Sequence, residues 1–245
     1  PRLPDEQVWD WPAHERLPIA AVLLDTLALN IRWSPEYFER KTAPLAALAR
    51  FTGPKIAMPQ DEFVHTDGLG ALLARIGCTH VLSAAGPEDA RKIYGPFLPD
   101  AHIGNKLTGY LETATLDRIE AMARAQPVRD IDVGYRAWHA EAWLGEHGVL
   151  KARIAQEADA LAPAFPKLRM DVSTAEADVL TGDDWYRFLL RCRATLGVEG
   201  GASVLDRDGS ICARTRAWVS AHPQASFEQV RDACFCLHTQ RAARA

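Results

Sequence analysis

Apolar and polar positions along the chain fall into blocks of two kinds. Short apolar runs at residues 19–24, 55–58 and 80–83 are strand-length, and the amphipathic stretches between them, 35–51 and 66–76, are helix-length. This order predicts β-α-β-α-β and a mostly parallel sheet, because parallel neighbours need a crossover and helices supply it on the sheet faces. A short helix is expected at 87–94. The stretch 95–109, with its Gly and Pro residues, reads as a long loop. A helix at 116–125 is followed by Pro127 as a stop signal. Strand alternation then restarts over 129–136, which sets a boundary near Gln126 and two domains, 1–126 and 127–245. The second repeats the order with a long helix (144–161), a strand (168–172), a helix (183–193), a strand (194–198) and a helix (211–221), without repeating the sequence. Residues 1–17 carry no periodicity and read as an extended lead-in.

Composition supports a folded globular protein and excludes several partners. Apolar residues make up 48% and charged residues 24% of the 245, close to the average for globular domains. The net charge is -4 and the basic residues are scattered, so neither nucleic acid nor anionic lipid is expected as a partner. No apolar run approaches the roughly 20 residues of a membrane-spanning helix. The five cysteines are an odd number in apolar or helical surroundings, which fits reduced thiols and a cytoplasmic protein. The first residue is Pro, which suggests a sequence that begins inside a longer product.

In open parallel sheets ligands bind beyond the carboxyl ends of strands, where helix N-termini favour anions. Three such places carry suitable chemistry. Gln60, Asp61 and Glu62 follow the run 55–58 and offer carboxylates for sugar hydroxyls or base catalysis, with helix capping or plain solvent exposure as the competing reading. Gly134, Tyr135 and Arg136 end the first strand of the second half; Gly permits close approach of a ligand and Arg grips phosphate with two N–H bonds. Glu199, Gly200, Gly201 and Ser203 place a diol-binding carboxylate before a turn able to present N–H groups to a diphosphate, or form a tight turn before a surface helix.

Asp206-Arg207-Asp208-Gly209 has the spacing of a cation-binding pair, but Asp-Gly reads first as a turn. Glu62 and His65 have di-iron spacing without a second pair, and Cys234, Cys236 and His238 lack structural-zinc spacing. There is no Gly-x-Gly-x-x-Gly, Walker loop or Gly-x-Ser-x-Gly elbow.

At these residues the sequence resembles bacterial glycosyltransferases of the GT-B fold, often labelled glycosyltransferase group 1 or family four. The likeness rests on Gly53-Pro54-Lys55-Ile56 with Gln60-Asp61-Glu62, Leu107-Thr108-Gly109-Tyr110, the stretch from Asp130 to Arg136, and Cys192-Arg193-Ala194-Thr195-Leu196-Gly197 through Glu199-Gly200-Gly201-Ala202-Ser203-Val204. It covers about residues 18–230. It implies two Rossmann-like domains with parallel sheets facing a cleft, acceptor on the N-terminal side and nucleotide-sugar donor on the C-terminal side. Arg136 with Lys151 then neutralises the departing diphosphate, Glu199 holds the donor's ribose or sugar, the turn from Gly200 to Ser203 cradles phosphate, and Gln60, Asp61 and Glu62 face a glycan or small-molecule acceptor. No cofactor or metal is implied, the nucleotide sugar being a co-substrate. The ending at residues 231–245 departs from the family pattern, so the donor domain is expected to be incomplete. The rival readings are a non-catalytic nucleotide- or sugar-binding protein of the same fold, and a metal-dependent transferase or hydrolase using Asp206 and Asp208 or Asp61, Glu62 and His65.

Overall fold

The computed structural model describes residues 18–109, 111–125 and 128–235. The lead-in 1–17, Tyr110, the boundary at Gln126, the stop at Pro127, and Cys236 and His238 lie outside the described residues. The protein is α/β; the described residues form one four-stranded and one three-stranded sheet, both wholly parallel. The described residues divide into two compact units: 18–109 with Leu205–Ile211, and 111–125 and 128–204 with 212–235. No helix among the described residues is long and apolar enough to cross a membrane.

The first unit has strands β1 (Val22–Leu24), β2 (Lys55–Ala57), β3 (His80–Ser83) and β4 (His102–Asn105), paired in the order β1-β2-β3-β4. The crossovers contain α1 (Thr26–Leu29), α2 (Pro35–Thr42), α3 (Thr66–Arg75) and α4 (Pro87–Tyr94). With right-handed crossovers, a sequential strand order puts every connection on one face. The core agrees: Val22, Leu24, Ala57 and Val81 join Leu29, Phe38, Leu48, Leu69, Leu73, Ile93 and Tyr94 in one buried cluster, while Leu23, between Val22 and Leu24, is exposed.

Two expectations are corrected here. The single helix expected over 35–51 ends at Thr42 and continues as 3-10 turns over Ala43–Arg50, because Pro44 has no N–H for an α-helical bond and its ring clashes with the preceding turn. The loop expected over 95–109 contains strand β4, which among the described residues is an edge strand paired with β3.

The second unit has β5 (Ile131–Arg136), β6 (Met170–Ser173) and β7 (Cys192–Thr195), in the order β6-β5-β7. Its helices are α5 (Thr113–Ala125), α6 (Glu146–Leu161), α7 (Asp183–Arg191), α8 (Ser210–Ala221), whose first two residues count with the first unit, and α9 (Phe227–Cys234). Ile131, Phe188 and Cys192 form a small core with Leu180, Trp185 and Leu189 against it. The strand expected at 194–198 lies at Cys192–Thr195, because α7 stops at Arg191 and the chain enters the sheet at once. Glu199 therefore stands four residues beyond the strand, in irregular backbone.

Candidate functional site

The strand order of the second unit contains a reversal that the first lacks. From β5 the chain crosses to β6 on one side, then returns past β5 to β7 on the other. The carboxyl ends of the strands at such a reversal are the usual ligand position in open parallel sheets.

The loops after β5 and β7 are stapled together. The Ser203 N–H donates to the Leu144 carbonyl at 2.9 Å, and Ser203 Oγ and Val204 lie against Gly145, the residue before α6. Gly145 has φ +76°, and a Cβ there would collide with Ser203 Oγ, so both backbone conformation and space demand glycine. Segment 196–204 consequently crosses the N-terminal end of α6. Glu199 Oε2 lies 3.3 Å from His147 Nε2. A Cβ on Gly200 would be 3.9 Å from Lys151 Nζ. Gly201, at φ +92°, turns the chain next to them. His147 was not read from the sequence as a site residue; its signal is position, four residues before Lys151 and hence on the same helix face.

Arg136 is placed differently from expectation. Its Nη2 pairs with Asp171 Oδ1 at 2.7 Å, its Nη1 donates to the carbonyls of Tyr135 and Asp171, and its guanidinium lies 4.4 Å over the Phe188 ring. Its side chain is 16% exposed, with Nε buried and unpartnered. The guanidinium thus ties β5 to β6, and its grip on a phosphate is a proposal rather than an arrangement on display. Beside it a hollow of about 370 Å³ is lined by Trp138, Trp185, Val179, Leu180 and Asp178.

Gly134 is a correction. A Cβ there would fall on Cys192 Sγ and within 2.9 Å of the Phe188 ring, so its missing side chain makes room for the protein's own core. Tyr135 is buried, its hydroxyl donating to the Lys151 carbonyl at 3.2 Å; burial pushes its pKa above the ordinary phenol value. It braces α6. The Ser203 N–H, taken by Leu144, is not available to phosphate.

Gln60, Asp61 and Glu62 lie in the first unit, in the loop after β2. Wholly buried Arg32 organises this loop, donating to the carbonyls of Gln60 (2.7 Å), Asp61 and Val64 (3.0 Å); burial lowers its pKa, while Tyr94, Glu62 and Asp61 act in the other direction. Glu62 is the second correction. It is buried, accepting hydrogen bonds from Ser83 Oγ (2.7 Å), Tyr94 Oη (2.6 Å) and the Ala84 N–H (2.8 Å). Burial raises the Tyr94 pKa well above its ordinary value, with the Glu62 charge adding to the effect. Glu62 therefore anchors the loop, leaving Gln60 and Asp61, the latter at φ +55°, partly exposed at its turn.

Asp206 is buried, and its Oδ1 accepts the Ile211 N–H at 3.2 Å; Asp208 Oδ1 accepts the Ser210 N–H at 3.0 Å. Both carboxylates thus serve the start of α8, and Gly209, at φ +82°, abuts the His65 ring. Among the described residues no three His, Cys, Asp or Glu side chains are gathered around a metal position. Comparison with protein-family models, with curated proteins and with solved structures returns no match for this chain.

Proposed function

We propose that the chain is a glycosyltransferase that takes its sugar from a nucleotide-sugar donor, with the donor's diphosphate at the N-terminal end of α6, where the β5 and β7 loops meet. The observation that carries this reading is the convergence, at the strand-order reversal, of Lys151, His147, the N-terminus of a 16-residue helix and the pair Gly200-Gly201. Each suits a diphosphate for its own reason. Lys supplies a point charge, the helix end supplies N–H groups and a favourable dipole, and paired glycines let phosphate oxygens approach the backbone.

Glu199 completes the set. Its side chain is 82% exposed, so its carboxylate oxygens can accept from the vicinal hydroxyls of a ribose or hexose. The Trp138 and Trp185 faces beside Arg136 offer a flat apolar surface for a base or sugar ring. As the glycosidic bond breaks, charge accumulates on the leaving diphosphate, and fixed cations stabilise that charge most where it develops.

A non-catalytic nucleotide-sugar-binding protein is the second reading, favoured by the Arg136–Asp171 pair, which draws one cation away from the leaving group. Calorimetry against UDP, GDP, ADP and their sugars, followed by a donor-hydrolysis assay on any binder, tests both. Heat with release of nucleoside diphosphate supports the transferase, and heat without turnover the binder. Failure of every nucleotide at millimolar concentration removes both.

A further inference from the structure

The sheet of the first unit has one face packed by its crossovers and a second on which register partners form a row: Leu23, Ile56, His80 and His102 on β1, β2, β3 and β4. Their sequence neighbours Val22, Ala57, Val81 and Ile103 belong to or pack on the core of the opposite face. The row ends in two histidines on adjacent strands, with ring centroids 5.7 Å apart and planes tilted by 54°. His80 is partly exposed and His102 exposed.

We propose that His80 and His102 form a binding site for a divalent transition cation of the zinc, copper or nickel class, in which two imidazole nitrogens and solvent water coordinate the ion. The ring separation is the first support. An imidazole nitrogen bonds such an ion at about 2.0–2.1 Å, which puts each ring centre roughly 3.2 Å from the metal and two rings on one tetrahedral ion about 5–6 Å apart.

The second support is the Thr79 hydroxyl, which accepts the Lys55 N–H at 3.0 Å and lies 2.9 Å from His80 Nδ1. It holds the His80 ring through Nδ1 and leaves Nε2 as the nitrogen for an ion; with an ion on Nε2, Nδ1–H would donate to Oγ1, whose own proton has the Lys55 carbonyl at 3.1 Å. A hydrogen bond that fixes ring orientation is what a metal-binding histidine requires from its surroundings.

The third support is Gly104. A Cβ there would be 3.3 Å from His102 Nε2 and 3.2 Å from Leu82 Cδ2. The His102 ring therefore lies back over glycine, in room that a larger residue would take, on the same face as His80. Imidazole pairs favour zinc, nickel and copper over magnesium or calcium. The bound ion would clip edge strand β4 to β3.

The test is titration of the full chain with Zn²⁺, and separately with Cu²⁺ followed by electron paramagnetic resonance. The expected result is one zinc equivalent lost in His80→Ala and in His102→Ala, and a copper signal with two nitrogen ligands that falls to one or none in those variants. Thr79→Val is expected to weaken the site about tenfold to a hundredfold, the usual worth of such an orienting partner, while Thr79→Ser preserves it. Circular dichroism establishes that each variant is folded. An unchanged zinc isotherm and copper spectrum in the folded His80→Ala/His102→Ala double variant overturns the proposal, as does absence of zinc uptake by the parent chain at millimolar concentration. The outcome does not depend on the transferase reading.

Discussion

Glu62 and Glu199 show how far two identical side chains are separated by what the fold places around them. Glu199 is largely in water, within ion-pairing distance of His147, so it contributes little to stability and leaves its oxygens open to solvent. Glu199→Gln should leave the melting temperature unchanged and weaken nucleotide-sugar binding by about 1.5–3 kcal/mol, the worth of hydrogen bonds to a charged acceptor; calorimetry and a thermal melt on one preparation check both halves. Glu62 reverses the pattern. It is buried against Ser83, Tyr94 and two backbone amides, and Glu62→Gln turns an amide group toward these donors. A stability loss of about 1–3 kcal/mol is expected, with donor affinity intact, readable from denaturant midpoints. The sequence placed both at strand ends as ligand-facing carboxylates. It could not distinguish them because the partners of Glu62 come from 21 and 32 residues away, a separation that no local pattern displays.

Among the elements, the long helix α6 and the strands β2, β3 and β5 were legible, since each is a periodic run bounded by Gly, Pro or charge. Elements set by neighbours were less so. The edge strand β4 contains Gly104 and follows Pro96 and Pro99, which read locally as loop, and β7 begins directly at the end of α7. What holds β7 in place is visible in Asp132 on β5, the central strand. Its carboxylate accepts the N–H (2.9 Å) and Nε (3.1 Å) of Arg169, just before β6, and faces Arg193 Nη1 on β7 at 3.3 Å. These bonds, those from Arg169 first, lower its pKa from 3.8 to about 2. Because the folded-state pKa is depressed, the unfolded chain takes up the proton first. The stabilisation is therefore complete above the ordinary carboxylate pKa and disappears as pH falls through about 2. Asp132→Asn should melt below the parent protein near neutral pH, and the difference should shrink steadily as the solution is acidified toward that value. A difference independent of pH would mean that Asp132 acts through its shape and not through its charge.

At the scale of the whole molecule, the strand orders assign the two units unequal roles. A sequential order has no reversal, whereas β6-β5-β7 has one, at β5, the usual place for a ligand in open parallel sheets. A bound nucleotide should therefore be felt by two segments of the second unit, the start of α6 (145–151) and the loop 196–204, and not by the Arg32-bound loop 59–65 of the first. Hydrogen exchange followed by mass spectrometry reads these segments separately. At a nucleotide concentration one hundred times Kd, a state that binds is stabilised by about 2.7 kcal/mol over one that does not, so amides exchanging by local opening of these two segments should slow by about a hundredfold. The same protection is expected in EDTA, because Lys151, His147 and the helix N-terminus belong to the chain and no chelator removes them. Asp206 and Asp208 make the opposite forecast: if they held a cation against the diphosphate, EDTA would abolish protection and manganese would restore it, and segment 205–211 would be protected first. Protection that appears in 59–65 alone, with 145–151 and 196–204 unchanged, would take the donor site out of the second unit altogether.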